Sequence, residues 1–433
     1  MAIPIILSNS TVPLVGIVDT AVMGRMDSPA FVSAAGIGAV MFSSILWVFG
    51  FLRMATGGLV AQAHGAANPL QAERTGLRAL LLALLLGLIL ILASEYLLWL
   101  GLALMESSER VHTLVADYYR IRIWSAPATL MTYALSGTLI GQQRMRAIFS
   151  LQLILNVTNI GLNLGFFNYT DWGIRGVATA TVISEYIALA AALSMSGTLS
   201  AIRRNNAAAG NPVKSWIADP ARLMEFLQIS GDLFIRTLCL TAAFYWLTVM
   251  GSKQGDDILA ANILLINMLH FMAYALDGFS HAAETLTGFA LGQGNRRALS
   301  SAVNASTIWA GVFALAFIAL FALAGGPIID AMTTQEPLRE MTRQWLPWII
   351  FSPLIAVWSF LLDGIFIGTT HTRAMRNGML ISSAVFVIAS IVLVQYYNNH
   401  GLWLAYYILM IMRTITLGVK YPAVLRSAEA RTK

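Results

Sequence analysis

Residues 79–93 read ALLLALLLGLILILA, a stretch with no charged and no hydrogen-bonding side chain. Widened to 77–102, the segment passes the roughly 20 apolar residues that a helix needs to cross a bilayer. The run is continuous rather than alternating, so it reads as a helix and excludes a strand of an outer-membrane barrel. Only these two structures satisfy their own backbone groups in lipid. The rest of the chain is built in the same way. Of 433 residues, 58% are hydrophobic and only 11% are charged, and the mean hydropathy is +0.71. About a quarter of a soluble domain is charged, so this chain has too few charges to cover a water-facing surface of its size.

Twelve spans fit the length: 2–24, 30–60, 77–102, 118–140, 147–168, 173–197, 223–250, 258–292, 301–331, 345–367, 376–396 and 401–423. The first has no basic flank and carries Pro13 and Asp19 in its middle, so it reads as a span and not as a cleaved leader. Loops after even-numbered spans hold Arg74, Arg78, Arg144, Arg146, Arg203, Arg204, Lys214, Arg222, Arg296, Arg297, Arg373 and Arg376. Loops after odd-numbered spans hold Asp27, Glu106, Glu109, Asp171, Asp256, Asp257 and Glu336. Positive charge stays on the cytoplasmic side, which predicts both termini cytoplasmic in a multi-pass protein of the inner membrane. The net charge of +6 is thus loop chemistry and not a nucleic-acid face. Cys239 is the single cysteine and lies in an apolar run, TLCLTAAFYW, so no disulfide forms within one chain.

The two halves repeat. Residues 59–68 (LVAQAHGAAN) align with 286–295 (LTGFALGQGN) at Leu59/Leu286, Ala63/Ala290, Gly65/Gly292 and Asn68/Asn295. At the same offset Gly137, Gly141, Arg146 and Ala147 fall on Gly364, Gly368, Arg373 and Ala374, with Pro127 one residue from the place of Pro353. Six spans per copy give both copies the same topology, the parallel-repeat arrangement of membrane transporters. The predicted fold is therefore an all-α integral membrane protein, with twelve transmembrane helices in two pseudo-symmetric six-helix lobes. The lobes are 1–200 and 223–433, joined by a polar cytoplasmic linker, 201–222.

At particular segments the chain resembles the multidrug and toxic compound extrusion (MATE) exporters, and within them the DinF branch. They are 11–27 (TVPLVGIVDTAVMGRMD), 47–65 (WVFGFLRMATGGLVAQAHG), 122–127 (RIWSAP), 176–186 (GVATATVISEY), 274–284 (YALDGFSHAAE), 361–368 (LLDGIFIG) and 398–405 (NNHGLWLA). The resemblance covers nearly the whole length. It implies a central cavity, alternating access, and export driven by inward H⁺ or Na⁺.

Asp19 is the sharpest candidate for the coupling site. A carboxylate at the centre of a membrane helix costs about 2.5–3.5 kcal/mol on insertion scales, so it should face the protein interior. Desolvation favours its neutral form, which suits loading and releasing a proton. Pro13 removes a backbone bond upstream and should kink the helix. The family's coupling carboxylate in the first span falls on Asp19; a hydrogen-bonded acid that never titrates is the competing reading.

Asn156, Asn159 and Asn163 share one face of span five, and Thr181 and Glu185 one face of span six, by their spacings of three and four. They are either interhelical glue or a polar cluster around Asp19. Related proteins carry an Asn, an acid four residues on, and a Thr. Here Asn159 and Thr181 match, but Asn163 stands where the acid would be, which favours H⁺ over Na⁺ unless Glu185 compensates.

In the second lobe Tyr274, Asp277, His281 and Glu284 follow one helical face, with His270 a heptad earlier. Asp363 and an Asp232/Arg236 pair are candidates to join them, and Arg53 is a candidate counter-ion across the lobes. Structural ion pairing competes with substrate binding or a second proton relay for all of these. No catalytic constellation, metal ligand set or phosphate-binding loop of the GxxxxGK[ST] kind is present, so neither an enzyme nor a resident cofactor is expected.

The reading is a secondary active, proton-driven multidrug exporter, a monomer whose partners are small drugs or toxic metabolites and the lipid bilayer. The runner-up readings are Na⁺-coupled export and a flippase for a lipid-linked precursor. The latter should carry a basic cavity, whereas the intramembrane acids Asp19, Glu185, Asp232, Asp277, Glu284 and Asp363 outnumber Arg53 and Arg236.

Overall fold

The computed structural model describes residues 29–103, 108–198 and 219–430. Span one, with Asp19 and Pro13, and nearly all of the linker lie outside the described residues. Every regular element described is helical, and the helices follow in chain order. They are α1 (Pro29–Val48), α2 (Phe51–Gly65), α3 (Pro69–Leu92), α4 (Ser94–Ala103), α5 (Glu109–Arg122), a 3₁₀ turn (Ile123–Ser125), α6 (Ala126–Gly141), α7 (Met145–Tyr169) and α8 (Ile174–Met195). The second half contains α9 (Pro220–Ser252), α10 (Asp256–Gly292), α11 (Arg296–Met332), α12 (Glu336–Gly368), α13 (Thr372–Gly418) and α14 (Tyr421–Ala430).

Among the described residues, nine helical stretches are long and apolar enough to cross a membrane. They carry spans two, three and five to twelve, because the stretch Thr372–Glu429 holds spans eleven and twelve together. Span two is interrupted at Phe49 and Gly50, between α1 and α2. Span four, expected as one uniform helix, runs through α5, the 3₁₀ turn and α6. Several helices outrun their apolar segments, α12 starting at Glu336 rather than 345, its first turns being charged and ion-paired. There Arg339 and Arg343 pair with Asp330 and Glu336.

The chain forms two compact units. Its described residues fall into 29–64 with 68–227, and 65–67 with 228–430. Each builds its helix joints from the same parts. The N–H of Asn68 bonds to Ala63 O at 3.0 Å, and that of Asn295 to Ala290 O at 3.2 Å. Arg144 and His371 make the same six-to-one bond to Leu139 and Phe366, each at 2.9 Å. These are the closing bonds of Schellman turns, which need a left-handed residue. Ala67 (φ 52°), Gly294 (φ 66°), Gln143 (φ 61°) and Thr370 (φ 54°) supply it. Asn68 then caps α3 by accepting from Gln71 N at 3.0 Å, and Asn295 caps α11 by accepting from Ala298 N at 3.0 Å. Each cap gives one orphan donor of the first turn a partner.

The glycine pairs of the repeat sit where two helices touch backbone to backbone. A Cβ on Gly137 would lie 2.4 Å from Arg53 O of α2, and one on Gly364 2.2 Å from Ser280 O of α10. Gly141 meets Val60 and Ala61 in the same way, and Gly368 meets Glu284 O. Small residues at such crossings let membrane helices approach closely.

Candidate functional site

Span five enters the first unit as α7 and places Asn156, Asn159 and Asn163 on one buried face. Span six, α8, presents Thr181, Ser184 and Glu185 from its own buried face. The polar groups form a directed chain. Asn163 Nδ2 donates to Asn159 Oδ1 at 3.1 Å, Asn159 Nδ2 to Thr181 Oγ1 at 3.1 Å, and Thr181 Oγ1 to the Val177 carbonyl at 3.0 Å. Gln152 Nε2 donates to Asn156 Oδ1 at 2.8 Å. Such a chain gives each of these amides at least one hydrogen bond, as burial favours.

Glu185 lies one helical turn beyond Thr181 and has a cation beside it. Arg122 Nη2 stands 3.7 Å from Glu185 Oε1, with both side chains about nine-tenths buried. The guanidinium lies 4.3 Å from the ring centre of Phe42 on α1 and also bonds to Ser125 Oγ. Thr129 of α6 reaches the same carboxylate. Arg122 is absent from the sequence-derived site. A signal for it existed: an arginine in an apolar span is costly and calls for an acid in a neighbouring span.

The second unit is organised around a different charge. Asp363 Oδ2 on α12 accepts from Arg413 Nη2 at 2.6 Å and also from Arg236 of α9. All three side chains are at most 8% exposed. Arg413, inside LMIMRTITL of span twelve, is the second residue that reading by sequence missed. Asp232 and Arg236 stand four apart, yet each takes another partner. Asp232 accepts from Arg376 Nη1 at 2.7 Å and from Thr372 Oγ1 at 2.9 Å. Arg376, read from sequence as a loop residue, sits in the first turn and a half of α13.

The face along α10 is not uniformly interior. His281 and Glu284 are buried, with His281 Nδ1 3.4 Å from Glu284 Oε2. Tyr274 and Asp277 are half-buried, and His270 is exposed beside Phe244. Asp363 bonds to α9 and α13. Arg53 is half-buried in the first unit, its carbonyl covered by Gly137, whereas Asp277, His281, Glu284 and Asp363 belong to the second.

Comparison with known proteins agrees with this architecture. The MatE family model matches the chain twice, over residues 4–164 and 233–393, once on each half of the repeat. DNA damage-inducible protein F of Escherichia coli (strain K12) is 37% identical over 418 residues, covering 96% of this chain and 90% of that one. A probable multidrug resistance protein NorM of Synechococcus is 25% identical, over 71% of this chain and 67% of its own. Among solved structures, the outward-facing conformation of a multidrug resistance MATE family transporter of the MOP superfamily superimposes with a TM-score of 0.84 at 17% identity. It covers 100% of this chain and 95% of that one, which shows the shared fold. Twofold match, internal repeat and multi-pass helical architecture agree: the chain belongs to the MatE family of multidrug and toxin efflux transporters, on its DinF branch, and is a membrane transporter rather than an enzyme.

Proposed function

We propose that the chain is a secondary active exporter that moves small amphipathic, often cationic, compounds out of the cell in exchange for inward protons. Asp19 is the residue that exchanges the proton, on a span that Pro13 allows to bend, and the lobes give access to each side in turn. The protein sits in the inner membrane as a monomer with both termini cytoplasmic.

The observation that carries proton over sodium coupling is the charge state of the polar centre in the first unit. Sodium is a hard cation that wants several oxygens, some of them negative. Among the described residues, spans five and six offer amides, hydroxyls and one carboxylate, and Arg122 already stands beside that carboxylate. A proton needs only one acid, and Asp19 supplies it. A flippase for an anionic lipid-linked precursor would instead hold cations ready for phosphate. Here Arg122, Arg236 and Arg413 each lie on a carboxylate of their own unit.

Reconstituted vesicles loaded with a fluorescent organic cation test the reading. Wild type should move dye under an imposed pH gradient and not under an imposed sodium gradient, and Asp19→Asn should abolish the movement. Equal transport by Asp19→Asn, or a response to sodium alone, would refute it. At about 2.3 kcal/mol per charge per 100 mV, one proton is enough to sustain a modest gradient of a neutral cargo.

A further inference from the structure

Span four tightens where a uniform α-helix is expected, its backbone staying right-handed helical at Arg122, Ile123, Ser125 and Ala126. Helix α5 ends at Arg122, Ile123–Ser125 tighten into a 3₁₀ turn, and α6 restarts with Pro127 in its first turn. The carbonyls at the turn each find a donor. Ser125 Oγ donates to Arg122 O at 2.8 Å, Ala126 N to Ile123 O, and Tyr186 OH to Trp124 O at 3.0 Å. Proline alone does not account for the 3₁₀ turn, because α12 stays α-helical through Pro347 and Pro353. What differs is span six. Two adjacent residues there, Glu185 and Tyr186, hold the side chain before the turn and a carbonyl within it.

We propose that Glu185 is a second proton-exchanging carboxylate of the transport cycle, and that its proton releases Arg122 and lets the joint in span four move. This rests on the proton-coupled reading above and extends it to a second group. When Glu185 is ionised, two opposite charges at 3.7 Å, nine-tenths removed from solvent, attract across spans four and six. A proton taken from water onto a Glu185 carboxyl oxygen cancels that attraction. Arg122 then keeps the face of Phe42 and Ser125 Oγ, so the cation is not stranded. When the proton leaves to the other side, the pair re-forms. A buried ion pair that one proton removes, joined to a short 3₁₀ segment, is a two-state element of the kind that mid-helix 3₁₀ turns often mark.

The charged groups around it leave this role to Arg122. From span four, Arg120 bonds to Glu95 and Asp117 to Arg175, all of them on more exposed positions. Span five presents the amides of Asn156 and Asn159, span two the ring of Phe42, and α6 the hydroxyl of Thr129. Span six itself adds Thr181 and Ser184, whose hydroxyls bond to their own helix.

The test is a distance across the joint, read by paired spin labels on the full chain in lipid nanodiscs. Cys239→Ser removes the native thiol, and Thr113→Cys on α5 and Arg146→Cys on α7 place labels at exposed positions on either side. Wild type should exchange between two distance populations from alkaline to acid pH. Glu185→Gln should hold the acid population at every pH, while Glu185→Asp keeps the response. Should Glu185→Gln fail to fold, Arg122→Gln serves, and it too should lose the response. A single wild-type population at all pH, or an unchanged pH response in Glu185→Gln or Arg122→Gln, overturns the proposal. Asp19→Asn in the same labelled background separates the readings, because its export reports on the coupling site and its distance on the joint.

Discussion

Spans six and twelve enter their units through the same joint. Gly173 stands at φ 52°, ψ −128° and Asn398 at φ 49°, ψ −131°. Counted from there, Gly176 and Gly401 are equivalent, then Thr181 and Tyr406, Glu185 and Met410, Ala188 and Arg413. The first unit thus has an acid where the second has a thioether, and the second has a guanidinium where the first has a methyl group. Glu185 of the first unit has one cation beside it, Arg122, next to a chain of amides and a hydroxyl; Arg413 of the second shares Asp363 with another arginine, Arg236. The duplicated backbone therefore keeps its turns, caps and glycine contacts, where geometry allows few residues, and its polar interior has diverged.

The largest test of that contrast is Asp363→Ala. It leaves two guanidiniums facing each other in a site at most 8% exposed. Removing one partner of a buried ion cluster costs about 3–5 kcal/mol, to be read as lost thermal stability in detergent. Glu185→Gln in the first unit should cost far less, because Arg122 keeps Phe42 and Ser125. Equal losses would mean that the two centres are alike in kind, and the contrast would fall.

Next in size are Gly137→Ala and Gly364→Ala. Each new Cβ would arrive within 2.4 Å of a backbone carbonyl of the neighbouring helix, which cannot step aside as a flexible side chain can. Overpacking of this kind costs about 1–3 kcal/mol. The two variants should lose similar stability in the same melting assay. A large difference between them would break the claim that the units share their helix contacts, whereas near-equality sharpens it.

These glycines were legible in the sequence, because Gly137 and Gly141 recur at Gly364 and Gly368 at one offset. Span positions were legible for a similar reason: each needs a long apolar run, and lipid leaves no other use for one. Helix ends were not, since α12 continues in water for turns that hydropathy cannot see. Nor was the 3₁₀ turn at Ile123–Ser125, one of whose carbonyls takes its donor from another span. In the site, spacing along one helix put Asn159 and Asn163 on one face, and they do bond to each other. Spacing failed for Asp232 and Arg236, because partners between spans are set by tertiary packing, and Arg376 and Arg413 arrive from α13. Arg122 and Arg413 fall under the desolvation argument that singles out the acids, because it applies to any charge in a span.

The smallest effect probes the joint itself. With φ near +50° and ψ near −130°, Gly173 and Asn398 occupy a region that glycine enters freely and a Cβ resists. At Gly173 the reason is conformation and not space, since the nearest atom to an added Cβ is Phe31 Cε1 at an ordinary 3.6 Å. Strained backbone of this kind costs about 1–3 kcal/mol, which Asn398 bears and Gly173 avoids. Asn398→Gly should therefore raise the melting temperature, though by less than the full strain. Glycine also gives the unfolded chain more freedom, worth about 0.5–1 kcal/mol. The reverse exchange, Gly173→Asn, should lower it. Asn399 is left in place in both variants, so its paired bonds with Asn262, at 2.8 and 3.0 Å, keep the second joint closed. A gain at one joint and a loss at the other would show that the two halves share this turn and differ only in which residue bears its strain; two losses would mean that the Asn398 side chain holds the joint by contacts that outweigh the strain.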